Sequence, residues 1–355
     1  MRIAILTLPF HANYGGVLQA YALQTVLQRM GHEVVVLDKD MFHHRTWLRQ
    51  QVARGAYLVR KYVLRRQTEY VDFRRMDREK RIVEKPIRDF IETHLNILRV
   101  KDLPHEFPRN VDAVVVGSDQ VWRPRYFIGS YECGIENAYL SFLGDLPVKR
   151  LSYAASFGTN EWEYSEEETA ICSRVLKHFK AVSVRENSGV SLCKEKLGCE
   201  IACQMPDPTF LLSKEDYLSL IEDVEESESY LLYYVLDETE DIRKMATSLA
   251  REKGLAIRRL NSDLDISELP LSQRIKSPVE DWICGIANAD YVFTDSFHAC
   301  VFSILFEKPF KTVGNESRGM DRFRSLFAVF NQRDNHHILD YHRKAAISFL
   351  YNALN

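Results

Sequence analysis

Residues 289–310, Ala-Asp-Tyr-Val-Phe-Thr-Asp-Ser-Phe-His-Ala-Cys-Val-Phe-Ser-Ile-Leu-Phe-Glu-Lys-Pro-Phe, decide the fold. Tyr291 to Thr294 is a short β-branched and aromatic run that ends in Thr294-Asp295-Ser296, residue types that satisfy the free N–H groups of a starting helix. The segment reads strand, sharp turn, helix. A helix start at the carboxyl end of a strand presents N–H donors and a partial positive charge to an anion in the crevice of an open α/β sheet. Ala299 to Phe306 is almost wholly apolar and buries the helix body, so Ser296, Phe297 and His298 are the part left to face a cleft. The plainer alternative is a capped core helix with a polar residue near its end.

Working outward, Tyr230 to Leu236, Ala256 to Leu260 and Tyr291 to Thr294 read as strands, alternating with helices over Thr239 to Lys253, Val279 to Asn288 and Phe297 to Phe306. The first part of the chain repeats the pattern. Arg2 to Leu8 is a buried strand, Gly15 to Met30 a helix with Val17, Leu18, Tyr21, Ala22, Leu23 and Leu27 inward, and Val34 to Leu37 the next strand. The turn Asn13-Tyr14-Gly15-Gly16 lies between strand and helix, where glycine lets backbone approach a phosphate or sugar. It is not GxGxxG, so a nicotinamide dinucleotide is poorly supported. Asp38 ends the second strand either as a ribose-binding acid or as a turn residue. Further strands end in polar residues: Val111 to Val116 before Gly117-Ser118-Asp119-Gln120, Leu151 to Ala155 before Ser156-Phe157-Gly158, and Ala181 to Val184 before Arg185-Glu186. That is the pattern of a doubly wound parallel sheet.

At 355 residues the chain has room for two domains, and 46% hydrophobic with 27% charged residues is a soluble globular composition. No apolar run approaches a membrane span, and Met1 to Leu6 is too short for a signal-peptide core, so the cytoplasm is the expected compartment. Seven scattered cysteines suit reduced thiols, and Cys199 with Cys203 is only a weak metal signal, so no metal is expected. Between Arg45 and Arg88, fourteen Lys or Arg stand against five Asp or Glu, a basic island of +9 on a chain of net charge −3. Leu48, Val52, Ala56, Val59 and Val63 form an apolar stripe in it. The island is either a helical insertion with solvated cations or a surface for anionic lipid or an anionic acceptor. The prolines of Met205 to Leu212 mark a junction, and a last helix is expected from about His342 onward.

Taken in order, Asn13-Tyr14-Gly15-Gly16-Val17-Leu18-Gln19-Ala20-Tyr21-Ala22-Leu23-Gln24, Gly117-Ser118-Asp119-Gln120-Val121-Trp122, Ser152-Tyr153-Ala154-Ala155-Ser156-Phe157-Gly158, Ser183-Val184-Arg185-Glu186, Asp207-Pro208-Thr209 and Thr294-Asp295-Ser296-Phe297-His298 resemble the polysaccharide pyruvyl transferase family. The ordered set spans almost the whole chain. The resemblance implies a GT-B-like α/β fold of two Rossmann-like domains whose parallel sheets face across a cleft. The domains would be 1–205, on the acceptor side with a basic helical insertion at 43–90, and 206–330, on the donor side. A helical segment at 331–355 would pack back on the first domain. It also implies transfer of the enolpyruvyl skeleton of phosphoenolpyruvate to sugar hydroxyls as a ketal, in exopolysaccharide or similar biosynthesis. The partners would be a sugar or lipid-linked oligosaccharide, with peripheral contact at the inner membrane face, no nucleic acid, and no cofactor beyond the donor. His298, Arg185 and Asp119 would be catalytic, and Asn13, Gly15, Gly16, Ser118, Ser156, Ser296, Phe297 and Arg318 would bind substrate. Two departures stand out: Ala299 follows His298 where the family often has Gly, and Arg123, where Asn is common, adds a cation near the acceptor side. The rival readings are a GT-B glycosyltransferase with a nucleotide-sugar donor and a non-catalytic glycan-binding relative.

Overall fold

In this computed structural model residues 1–11, 13–39, 47–58, 61–62, 72–221, 228–260, 269–314, 320–330 and 336–355 are described. Strands β1 (Arg2–Leu6), β2 (Glu33–Lys39), β3 (Ile97–Val100), β4 (Ala113–Val116), β5 (Lys149–Ala155), β6 (Phe179–Val184) and β7 (Cys203–Gln204) form one sheet in the order β3-β2-β1-β4-β5-β6-β7. Every pairing in it is parallel. Ala113-Val-Val-Val116 shows why: each residue is buried, as a strand covered on both faces requires. Strands β8 (Tyr230–Tyr234), β9 (Ala256–Arg259), β10 (Tyr291–Thr294) and β11 (Phe310–Thr312) form a second parallel sheet in the order β11-β10-β8-β9.

Both orders reverse once, between β1 and β4 in the first sheet and between β8 and β10 in the second. Loops leaving two neighbouring strands at such a reversal run in opposite directions, and the crevice they leave is where open α/β sheets bind ligands. The two crevices face each other, in the GT-B-like arrangement.

Helix α1 (Tyr14–Arg29) joins β1 to β2 but is buried almost all round, including Gln19, Ala20 and Gln24. Its first residue reaches the other half: Tyr14 stacks on Trp282 of the Val279–Asn288 helix at 5.5 Å and donates its hydroxyl to Ser277 O at 2.9 Å. A single apolar core therefore runs from Ile3 and Val17 through Trp282 to Phe302. The C-terminal helix His336–Leu354 starts earlier than the sequence suggests and lies against β5, with Tyr153 beside Phe349 at 6.3 Å and Lys149 Nζ donating to Leu354 O. Arg343 on it donates to Phe210 O and Leu212 O.

The basic island contains α2 (Trp47–Leu58) and α3 (Phe73–Val83), followed by α4 (Lys85–His94). Of its proposed apolar stripe, Val59 and Val63 lie outside the described residues, and Val52 and Ala56 are exposed instead of turned inward. Among the described residues no helix is long and apolar enough to cross a membrane.

Trp282 is buried against Tyr14, Tyr234 and Phe302. Trp282→Ala should cost about 3–5 kcal/mol in urea unfolding. A cost below about 1 kcal/mol would mean that this stack does not join the halves.

Candidate active site

A cavity of about 270 Å³ opens where the two crevices meet. The β1–α1 loop lines it with Leu8, Pro9, Phe10, His11 and Asn13, the first turn of α1 with Gly16, the loop after β4 with Asp119 and Gln120, and the second half with Leu236, Asp295, Ser296, Phe297, His298 and Arg322. Tyr126 and Ser130 close one side.

The loops are held by side chains that a sequence pattern cannot distinguish from binding groups. Asp38 accepts the Phe10 N–H at 3.0 Å, so it fastens the β1–α1 loop. Asp295 accepts the N–H groups of Leu236 at 2.6 Å and Asp237 at 2.9 Å, tying the end of β8 to that of β10. Ser296 accepts from Ala299 N, which starts the Phe297–Leu305 helix and sets His298 on its first turn.

His298 is buried between the halves. A Cβ on Gly15 would lie 2.0 Å from His298 Nδ1, so the ring rests directly on the backbone of α1. Asn13 makes no cap bond to α1 and the first turn carries no acid of its own, so the positive helix end faces the cavity with the Asp119 carboxylate near Gly16.

Behind His298 lies a buried carboxylate. Asp207 Oδ2 is 3.0 Å from Arg185 Nη1, 3.5 Å from His298 Nε2, and accepts from Ser118 Oγ at 3.2 Å; Oδ1 accepts the N–H and hydroxyl of Thr209 at 3.1 and 2.8 Å. Burial alone would raise the Asp207 pKa, but His298, Arg185 and the Thr209 N–H outweigh it and hold the group well below the carboxylate range. Arg185 also pairs with Glu186 at 3.1 Å and lies over the Phe297 ring at 4.6 Å, and its Nη2 has no hydrogen-bond partner. Burial works against its charge, yet Glu186 and Asp207 keep its pKa above the usual value.

Arg322, on the helix Asp321–Val329, is the cation the sequence reading missed. It lies over Phe297 at 5.6 Å, and burial, with Arg185 beside it, lowers its pKa to about 10. An arginine whose charge is disfavoured on a cavity wall is a place where a bound anion would be stabilising. Arg185 itself lines a separate space of about 60 Å³ behind Phe297, together with Arg322, Asp207 and Gln204.

Asn13, Gly16, Asp119, Ser296, Phe297 and His298 thus line one cavity, with Gly15 against the His298 ring. Ser118 and Ser156 do not line it. Both are fully buried: Ser118 serves Asp207, and Ser156 donates to Glu186 Oε1 at 2.6 Å while accepting from Gly158 N at 3.0 Å. Small polar residues at strand ends are as well suited to satisfying buried carboxylates as to facing a ligand. Arg123 does not line the cavity either, since it is bound to Glu163 at 2.9 Å and to Gln120 Oε1 at 3.0 Å. Asp119 caps no helix. It sits half-buried at φ 72°, with Oδ1 accepting the Gln120 N–H at 2.8 Å. Arg318 lies outside the described residues.

Two parallel sheets facing across a cleft, with arginine and histidine between them, define a GT-B-type protein. The chain belongs to the polysaccharide pyruvyl transferase family, whose sequence model matches residues 13–317, and is a transferase of that family. No curated protein sequence matches it. Similar solved structures include a putative UDP-N-acetylglucosamine 2-epimerase from Listeria monocytogenes, 11% identical with a TM-score of 0.48 over 99% of this chain and 88% of that one. Another is the UDP-GlcNAc 2-epimerase from Methanocaldococcus jannaschii, 10% identical with a TM-score of 0.45 over 99% and 100% of the chains. A third is the spinosyn rhamnosyltransferase SpnG complexed with thymidine diphosphate, 10% identical with a TM-score of 0.41 over 100% and 92%.

Two predictions test the site's construction. Gly15→Ala should destabilise the protein by about 1–3 kcal/mol through overpacking on His298. In a His298→Gly background the same change should cost much less, and equal costs in thermal unfolding would separate the two residues. The depressed Asp207 pKa stabilises the fold above the unfolded carboxylate's pKa of about 3.9, and that stability is lost as pH falls toward the folded value. Asp207→Asn should cost about 3–5 kcal/mol near neutrality and flatten the fall in urea midpoint below about pH 5. An unchanged acid slope would remove Asp207 from that role.

Proposed function

We propose that the protein transfers the enolpyruvyl skeleton of phosphoenolpyruvate to hydroxyls of a sugar in a cell-surface polysaccharide or its lipid-linked precursor, leaving a pyruvate ketal and inorganic phosphate. The observation that carries this reading is the convergence of His298, Arg322 and the uncapped start of α1 on one cavity between the halves. Phosphoenolpyruvate bears a phosphate and a carboxylate on adjacent groups, and a site for it needs several cations or N–H donors aimed at a small volume. Family membership supports the same donor. The reaction belongs in the cytoplasm, where the donor is made.

In this reading residues 1–205 supply the acceptor side and 206–330 the donor side. The donor's anionic groups lie against Arg322 and the His298 turn, with Arg185 holding Phe297 and Asp207 in place behind them. The first acceptor hydroxyl adds to the central carbon of the donor as its methylene carbon takes up a proton and becomes methyl. A second hydroxyl then displaces phosphate, which leaves with the oxygen that joined it to that carbon and carries away the second proton. His298 acts as general acid or phosphate stabiliser, and Asp119 orients or deprotonates the acceptor hydroxyl. The strained backbone of Asp119 supports a positioned role, since such strain persists mainly where function requires it. Asn13, Gly15 and Gly16 form the acceptor-side wall.

The test is incubation of the purified protein with phosphoenolpyruvate and a panel of lipid-linked sugars, following phosphate release together with the mass gain of the sugar. His298→Ala should lower turnover by roughly 10² or more, as loss of one transition-state contact costs about 3 kcal/mol. Arg322→Met should raise the donor Kd about tenfold or more, since a hydrogen bond to a charged group contributes about 1.5–3 kcal/mol. Near wild-type turnover in folded His298→Ala, or thermal stabilisation by nucleotide sugars and not by phosphoenolpyruvate, would move the assignment to glycosyl transfer.

A further inference from the structure

We propose that the basic segment carrying α2 and α3 docks the protein on an anionic membrane surface beside the mouth of the cleft. On α3, Arg74, Arg78 and Arg81 recur at helical spacing, so they occupy a stripe about 60° wide, and all three are exposed. Other positions on α3 are fastened. Asp77 is buried, Glu79 holds Arg75 at 2.6 Å and Arg274 of the second half at 2.9 Å, and Lys276 N donates to Val83 O at 2.9 Å. Contacts to the second half therefore hold α3 in place while the cationic stripe stays exposed.

Apolar side chains are exposed in the same segment of the chain. Val52 is 73% exposed, Tyr62 69%, Met76 51% and Leu58 44%, with Arg54 and Lys61 exposed close by in the chain. A dissolved polyanion would use the charges and leave the apolar groups in water. The headgroup region of an anionic bilayer accommodates both kinds. Charge complementarity points the same way, since the +9 of residues 45–88 stands on a chain whose net charge is −3.

The segment also borders the cleft. Phe10 and His11 line the central cavity on one side and, on the other, a small pocket walled by Glu84, Ile87 and Arg88 at the start of α4. A docked protein would hold the cavity mouth near lipid-linked sugars; that consequence rests on the proposed reaction, whereas the docking does not.

The experiment is co-sedimentation of the full chain with phosphatidylcholine vesicles, with and without phosphatidylglycerol, at low and high salt. Binding is expected to the anionic vesicles at low salt alone. It should fall about twenty-five-fold in Arg74→Gln/Arg78→Gln, at roughly fivefold per cation, and should also fall in Val52→Ser/Leu58→Ser. Both variants should keep the wild-type melting temperature and turnover on a soluble acceptor. Equal sedimentation with neutral and anionic vesicles, or with neither, overturns the proposal. So does self-association that Val52→Ser abolishes in a protein that ignores vesicles, which would assign the face to a second copy. Vesicle binding without turnover of phosphoenolpyruvate sinks the proposed reaction alone, and turnover on a soluble sugar without vesicle binding sinks the docking alone.

Discussion

The site depends on one buried carboxylate. Asp207 follows β7, at the point where the chain leaves the first sheet, and its oxygens gather Arg185 and Ser118 from that sheet and His298 from the second half. An unpaired carboxylate at this depth would be untenable, so the cations come as a condition of folding. A requirement of stability thus brings His298 to the seam between the sheets. Once there, its ring leaves no room for a side chain on Gly15, and this close approach seats α1 against the second half. The fold and the cavity share the same contacts.

Strain is placed beside that seam. Asp119 at φ 72° and Ala154 at φ 50° are non-glycine residues in a left-handed conformation, at the ends of neighbouring strands. Neighbouring hydrogen bonds hold both. Ser156 N donates to Asp119 O at 3.0 Å, and Ala154 N donates to Ser183 Oγ at 2.9 Å where the β5–β6 register shifts. The turn at Asp119 sets its carboxylate near Gly16 across the cavity wall, with Oδ2 3.6 Å from where a Cβ would stand. Strain of this kind costs about 1–3 kcal/mol per residue and is tolerated where the surroundings over-determine it.

Most of the fold was legible because parallel strands buried on both faces leave continuous β-branched runs, as at Val34 to Leu37 and Tyr291 to Thr294. The strands that escaped reading are β3, two-residue β7 and three-residue β11, too short or too mixed to show a period. In the site, the turns around Asn13, Asp119 and His298 could be read, because strand ends at a sheet reversal must line the crevice. Ser118 and Ser156 could not be placed, since whether a small hydroxyl faces a ligand or a buried acid depends on residues that are distant in sequence: Asp207 for Ser118 and Glu186 for Ser156. Arg322 lay hidden in Asp321-Arg-Phe-Arg-Ser-Leu-Phe327, an amphipathic run in which arginine is ordinarily solvated. Its burial and its tertiary contact with Phe297 distinguish it from Arg324 two positions later, which is exposed.

The two departures from the family pattern act away from the cavity surface. Ala299 is wholly buried below the His298 turn, where its methyl contributes to helix packing. Arg123 is drawn away by Glu163, but its guanidinium lies 5.5 Å from the centre of the Tyr126 ring, and Tyr126 lines the cavity. It also holds the side chain of Gln120, another lining residue, which crowds Gly158 so closely that a Cβ there would lie 2.0 Å from Gln120 Oε1. A cation at position 123 therefore shapes the wall through Tyr126 and Gln120 without presenting charge to a ligand. The shape and hydrogen bonding of those two side chains set the wall at this end of the cleft, and Arg322 and His298 line the cavity from the second half.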